Sequence, residues 1–294
     1  MYYLLILAAD ALLAACFVFQ KKYQSIAGTS AGATLTFNAF VGLTTGIIFT
    51  LLGLAGVFPI QFSFYSAIMA IIATSVCLAY TVIGFKLLRS GNMPLYTMFL
   101  MTGGMLVPYI FGLAFLNEEF SPVRLLGIML IVAAVIISNT GALRPTKIQI
   151  LMCCGVFLLN GLMSVISKVH QADISAHLSP VNTESFVIIM SAVKVLVCFP
   201  IVFALMKKTK DGHESFSLVK TAPLFVLTAL VDGGSYYLQL IGAKEIPAGV
   251  LFPLVTAGSI IFSAFAGMLV FRERPSKNQW AAMAICLAGT CMFI

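Results

Sequence analysis

The sequence predicts an all-α integral membrane protein with ten transmembrane helices arranged as two inverted five-helix repeats. Three observations predict it. Of 294 residues, 61% are hydrophobic and only 9% charged, with a mean hydropathy of +1.06, whereas an ordinary soluble domain is about 45–50% apolar and about 25% charged. Apolar runs separated by short polar breaks accommodate ten spans of about 20 residues. The two halves of the chain carry matching residues at matching places. The first observation excludes a soluble enzyme and a disordered chain. It also excludes a nucleic-acid binder, because the net charge of +7 is spread over short loops and not gathered on one basic face.

The predicted spans are residues 2–20, 31–54, 64–88, 94–116, 122–141, 147–168, 183–206, 218–241, 247–270 and 278–294. Hydrocarbon offers backbone amides no water, so runs this long must pair internally as helices. Ten-residue alternating strands with a polar lumen face do not occur in the sequence, which argues against a β-barrel. The start, Met1-Tyr2-Tyr3-Leu4, has no basic segment, and Asp10 interrupts the first run, so span one is expected to remain in the protein. The seven cysteines fall within apolar stretches without CxxC pairing, and are expected to be small packing residues, not disulfide or zinc ligands.

The loops after spans one, three, five, seven and nine hold Lys21, Lys22, Lys86, Arg89, Arg144, Lys147, Lys207, Lys208, Lys210, Lys220, Arg272, Arg274 and Lys277. Those after the even spans hold only Arg124, Lys168 and Lys244. Basic loops stay cytoplasmic, so a multi-pass protein of the cytoplasmic membrane with both termini outside is expected. The longest loop, 207–220, is then cytoplasmic and solvated.

Split near residues 141–147, the chain gives a first repeat at 1–142 and a second at 143–294. Span four ends in Phe115-Leu116-Asn117-Glu118-Glu119-Phe120-Ser121 and span nine in Phe271-Arg272-Glu273-Arg274-Pro275-Ser276. Glu118 and Glu273 are each followed by Ser three residues later and by a small residue, Gly127 or Ala282, nine residues later. Thr102-Gly103-Gly104 echoes Thr256-Ala257-Gly258, and Leu12-Leu13 with Lys22 echoes Leu158-Leu159 with Lys168. Five spans per repeat is odd, so the second crosses the bilayer upside down, an architecture of transporters whose substrate is held near the midplane.

This pattern resembles the drug/metabolite transporter superfamily, in its ten-helix type with two EamA-like units. The resemblance covers the whole chain and rests on the Glu-x-x-Ser turns, the small residues after them, and the Lys ending spans one and six. It implies a carrier of small metabolites with a cavity formed by spans one, three, four, six, eight and nine. Members are usually drawn with cytoplasmic termini; the charge asymmetry argues the opposite here. The four-helix small multidrug pumps carry a membrane Glu eight residues before the Lys of their first helix. Here that spacing lands on Ala14 and Asn160, so their coupling mechanism does not transfer. Asp10, one turn before Ala14, is the candidate substitute.

A charge in mid-bilayer costs roughly 2.5–3.5 kcal/mol on insertion scales and asks for a partner or an aqueous cavity. Asp10, Lys194 and Asp232 are such charges. Thr228, Asp232, Ser235 and Gln239 recur at helical spacing, and the stripe is expected to face water or substrate. Gly233-Gly234 would admit a helix or ligand. Asp232 either pairs with Lys194 and locks two helices, or faces the cavity as a proton carrier. Asp10 either titrates or bonds a neighbouring helix at Asn160 or Asn38. Lys194 either neutralises Asp232, reaches toward the interface, or meets a substrate anion. Thr102, Thr256, Tyr80, Tyr96 and Tyr236 are candidate cavity lining, with Pro108 and Pro253 weakening spans four and nine. Glu118 and Glu273 are expected to cap the spans that follow them. His170, Asp173 and His177 have a ligand-like spacing but are expected to be solvated loop residues, so no metal is expected.

The leading expectation is a secondary transporter, an exporter or exchanger of a small polar or zwitterionic metabolite, without enzymatic activity. Asp10, Asn160 and Asp232 would recognise substrate or couple protons, and Tyr80, Tyr236, Gln239, Thr102 and Thr256 would line the cavity. No G-x-x-x-x-G-K-[ST] loop occurs, so no nucleotide cofactor is expected and a gradient supplies the energy. The alternatives are a carrier of organic cations or drugs, a channel or scaffold, and an intramembrane enzyme acting on lipid-linked substrates. Expected partners are a small molecule and the lipid bilayer, with no nucleic acid. A monomer suffices for function and a dimer is possible.

Overall fold

The computed structural model describes all residues except 1, 29, 90–92, 139–144, 173–176, 209–217, 273–275 and 294. Ten α-helices follow in order: α1 Tyr2–Ala27, α2 Ala31–Leu54, α3 Phe64–Arg89, α4 Met93–Phe115, α5 Pro122–Ser138, α6 Lys147–Gln171, α7 Thr183–Lys208, α8 Leu218–Glu245, α9 Ala248–Phe271 and α10 Lys277–Thr290. Among the described residues, eight of them are long and apolar enough to cross a membrane. Two of the ten are shorter among the described residues: α5 has 17 residues, the expected end of its span at 141 lying outside them, and α10 has 14 before a short 3₁₀ turn at Cys291–Phe293.

Local chemistry sets the helix starts. Ser30 caps α2, its hydroxyl accepting from Ala33 N–H at 3.1 Å. Thr146 with Gln149, and Ser276 with Gln279, form reciprocal capping boxes at α6 and α10. Ends differ from expectation where a charge can lie along the helix. α1 continues to Ala27, so Lys21 and Lys22 are helical and not in a loop. Tyr23 anchors that extension by stacking on Phe37 and Phe225 and donating to the Ala33 carbonyl at 2.9 Å. Lys168 and Lys244 likewise fall in the last turns of α6 and α8. Lys207, Lys208 and Lys220 are helical, which shortens the loop expected over 207–220.

α1 packs on α8 and α9, and α6 on α3 and α4; α2 pairs with α7, α5 with α10, and α4 with α9. Small residues set the closest approaches. A Cβ on Gly103 would fall on the backbone of Phe157, and one on Gly161 would strike Val107, so α4 and α6 meet backbone to backbone. Gly127 and Gly289 do the same between α5 and α10. Pro108 and Pro253 lie within helices that run on without a break. All seven cysteines are free thiols, but Cys154 and Cys291 are exposed and so are not packing residues.

Contacts between connections distinguish two ends of the bundle. The first end holds Tyr2, residues 59–63, 115–121, 168–172 and 177–184, and the α8–α9 junction. The second holds the far end of α1, where the Lys21 ammonium sits 4.3 Å above the Phe271 ring of α9.

Gly103→Ala is expected to lower thermal stability by about 1–3 kcal/mol through overpacking against Phe157. Gly155→Ala, whose Cβ would meet only Ile83 at 3.8 Å, is expected to leave the melting temperature of the detergent-solubilised protein unchanged.

Candidate functional site at the centre of the bundle

The middle turns of α1, α3, α7 and α8 place four polar groups in one region. The Cys16 thiol donates to Asp232 Oδ1 at 3.6 Å. Lys194 on α7 lies within Coulombic range of Asp232 and of the Cys16, Cys77 and Cys198 thiols. Its stem rests on Gly42 of α2, whose missing side chain leaves 3.0 Å between a built Cβ and Lys194 Cδ. The Lys194 ammonium and the Asp232 carboxylate nevertheless make no direct ion pair within 4.0 Å among the described residues. Both side chains are half-buried. Of the sequence's two readings, a helix-locking salt bridge at contact distance is therefore not what the structure holds. Lys194 also does not run to the interface, because Gly42 seats its stem in mid-helix.

Aromatic rings stand around this pair. Tyr80 on α3 accepts from the Cys77 thiol at 3.4 Å and interacts electrostatically with Tyr96 and Asp232. The Tyr96 ring of α4 lies against Gly84 of α3, so the missing side chain there makes room for it. Tyr236 on α8 shares a hydrogen bond of 3.3 Å with Ser167 of α6 and also senses Asp232. The site is thus an ammonium and a carboxylate apart from one another, with three phenols around them.

The stripe on α8 is corrected. Ser235 is buried and donates to the Ala9 carbonyl of α1 at 2.7 Å, and Gln239 donates to Ser235 at 3.1 Å. Thr228 is buried with no partner for its hydroxyl among the described residues. This face packs on α1 instead of meeting water, and of the stripe Asp232 alone turns to the charge pair. Gly233 meets Thr45 of α2, and Gly234 approaches Leu12 of α1, so the glycine pair admits helices.

Asp10 is fully buried, and both of its carboxylate oxygens are without a hydrogen-bond partner among the described residues. It faces Gly258 of α9, where any side chain would overlap its carboxylate. The suggested bonds to Asn160 or Asn38 do not form: Asn160 donates to the Leu100 carbonyl of α4 at 2.7 Å, and Asn38 to Thr34 of its own helix at 2.9 Å. Six residues separate Asp10 from Cys16, about 9 Å along a helix, so Asp10 stands apart from the charge pair. Thr102 and Thr256 are 9% and 8% exposed and lie in helix packing, not on an open cavity wall. The Thr102 hydroxyl is spent on Met98 of its own helix.

Two further expectations fail at the first end. Glu118 caps α9, not the following α5: its carboxylate accepts from Ala248 N–H at 2.5 Å and Gly249 N–H at 2.9 Å. Ser121 caps α5 instead, accepting from Arg124 N–H. Glu273 and Asp173 lie outside the described residues. His170 is buried, stacked 3.7 Å from Phe186, and bonded to Ser66 at 2.8 Å and Gln171 at 3.0 Å, so it is no solvated loop residue. No metal-binding group of three ligands occurs among the described residues.

Sequence reading did not single out Cys16, Cys77 or Ser167 for the site. A thiol or hydroxyl in an apolar run is a common packing residue, and only the neighbours brought by other helices give these three a role. Asn160→Ala is expected to cost about 1 kcal/mol, the usual size of an interhelical bond in a membrane. Asp232→Asn, with a thiol at 3.6 Å as its direct partner, is expected to cost less in the same unfolding assay.

A family model for the EamA-like transporter family matches residues 147–294. No curated protein matches the chain. A solved chain described as "Crystal structure of protein" superposes with a TM-score of 0.77 over 99% of this chain and 95% of that one, at 14% identity, which speaks for the fold alone. With half of its length matched by that model and helices long enough to span a bilayer many times over, the chain belongs to the EamA-like transporter family.

Proposed function

We propose that this membrane protein exports or exchanges a small zwitterionic metabolite, bound between Lys194 and Asp232. The observation that carries the reading is the separation of those two charges: within Coulombic range, half-buried, and not in contact. Two opposite charges in mid-bilayer would collapse together if nothing else met them, since each unpaired charge is costly there. A ligand with its own carboxylate and ammonium satisfies both at once, its anion on Lys194 and its cation on Asp232. The phenols of Tyr80, Tyr96 and Tyr236 supply apolar walls with polar tips. An organic cation would have to sit beside the Lys194 ammonium, which disfavours that alternative.

Alternating access between units at 1–142 and 143–294 is the proposed mechanism. Supporting it, the packing of α1 on α8 and α9 becomes that of α6 on α3 and α4 when each helix is exchanged for the one five places on. Asn117 and Arg272, each just before the motif Glu, share a left-handed backbone with φ of 53° and 54°. Asp10 is the proposed proton carrier. A buried carboxylate without partners is tolerated when neutral, and α9 opposite it contains no ionisable residue from Ala248 to Phe271. The Lys and Arg asymmetry supports termini on the outer side of a cytoplasmic membrane.

The binding test is thermal stability of the purified protein against amino acids, nucleosides, nucleotide-sugars, quaternary amines and polyamines. A ligand at 100 times its Kd adds about 2.7 kcal/mol to the folded state. Amino acids should stabilise the wild type, and both Asp232→Asn and Lys194→Met should abolish the shift; stabilisation by quaternary amines alone rejects the zwitterion. For coupling, Asp10→Asn should remove accumulation driven by a pH gradient in proteoliposomes while counterflow of labelled substrate persists. Gradient-driven accumulation by the Asn variant would remove Asp10 from the mechanism.

A further inference from the structure

The α8–α9 junction is gripped from two sides. Lys168, at the end of α6 and 6% exposed, donates from Nζ to the carbonyls of Ala243 and Ile246, both at 2.6 Å. These carbonyls close α8, where the helix dipole is negative. One residue further on, the Glu118 carboxylate takes the first amides of α9, at Ala248 and Gly249, where the dipole is positive. Cation and anion each complement the charge of the helix end they meet. The connection Ile246-Pro247 between them is thereby fixed to α6 and to the end of α4.

The other end of the bundle lacks this grip. Lys22, five residues before the end of α1, is the sequence counterpart of Lys168, three residues before the end of α6, and it is exposed. It has no side-chain partner among the described residues. Helix packing shows the same difference: α6 packs on α8, while among the described residues α1 makes no comparable contact with α3. Lys168 thus ties α6 to the end of α8, and Lys22 makes no matching tie.

We infer that Lys168 is a positioning residue of the transport cycle, a latch whose bonds to the end of α8 hold the first end shut, and that Lys22 is its counterpart. In the opposite state Lys22 takes the last carbonyls of α3 while Lys168 releases those of α8. The inference rests on the carrier reading above. It assigns this structure to the state in which Lys168 is latched and Lys22 is released. It also explains physically why a Lys stands at the ends of α1 and α6, since a long ammonium side chain bridges a gap between helix ends that a packed apolar side chain would not release.

Hydrogen–deuterium exchange of the protein in nanodiscs tests this without substrate. Lys168→Met should speed exchange over residues 242–250 by about tenfold or more, as a population shift of that size requires. At the same time it should slow exchange over 20–28, where the second end closes. Adding Lys22→Met should abolish the slowing at 20–28, and Lys168→Arg should keep the wild-type pattern. Faster exchange at 242–250 with no slowing at 20–28 makes Lys168 a static cap and overturns the inference. So does slowing that persists when Lys22 is also replaced. Should Lys168→Met not fold, Lys22→Met alone decides: counterflow should fall about tenfold with the ligand-induced thermal shift retained, and wild-type counterflow overturns the inference. Failure of the carrier reading looks different, because wild-type protein would then show no counterflow while the exchange pattern still reports on the latch.

Discussion

Hydrocarbon gives a backbone amide no partner except another backbone group, and that constraint governs the rest of this protein. It makes nearly every described residue helical, and it removes most of the difference between inside and outside that drives a soluble core. Helices then meet through shape, and the glycines of α4, α5, α6 and α10 bring backbones together where any side chain would hold them apart. Side-chain polarity becomes scarce and local. Where it occurs in mid-helix, it is tied to a carbonyl of a neighbouring helix, as at Asn160 and Ser235, or gathered with other polar groups, as around Asp232.

The two mid-helix acids show how differently one residue type is treated. Asp232 is half-buried, accepts a bond from Cys16, and feels the charge of Lys194. Asp10 has none of these, and α9 presents it with Gly258. In the proposed carrier the first acid recognises a ligand and the second holds a proton on α1, about 9 Å along that helix from Cys16. Dividing those roles between separate sites lets substrate and proton act on different helix interfaces, α7–α8 for one and α1–α9 for the other. In that proposal α1, which packs on α8 and on α9, links the two.

The first end carries a denser polar network than the middle. Ser66, His170, Gln171 and Thr183 link α3, α6 and α7, and Asn182 ties the start of α7 to Gln61 and Pro59. Beside this network Lys168 and Glu118 hold the α8–α9 junction. Charged side chains on helix ends are suited to a joint that must open, since water can replace carbonyl and amide partners at the membrane surface at little cost. The same exchange is not available in mid-bilayer.

Hydrophobic run length by itself determined the all-helical membrane fold, the ten helices and most of their limits, because the bilayer sets both length and polarity of a span. It ended α1 early, since a basic residue marks a change of solvent and not the end of hydrogen bonding; Tyr23 continues the helix by packing on Phe37 and Phe225. Asp10, Lys194 and Asp232 stood out from sequence because mid-span charge is costly. Whether a given charge is paired, exposed or sealed was decided by tertiary structure alone: Gly42 seats the Lys194 stem, Gly258 seals Asp10, and Ser235 turns the α8 stripe onto α1. Glu118 shows the same limit. Its place in the Glu-x-x-Ser motif suggested the nearest helix, but the amides it meets belong to α9, some 130 residues on. Periodicity along one helix reports which residues share a face, and only the arrangement of the other helices reports what that face meets.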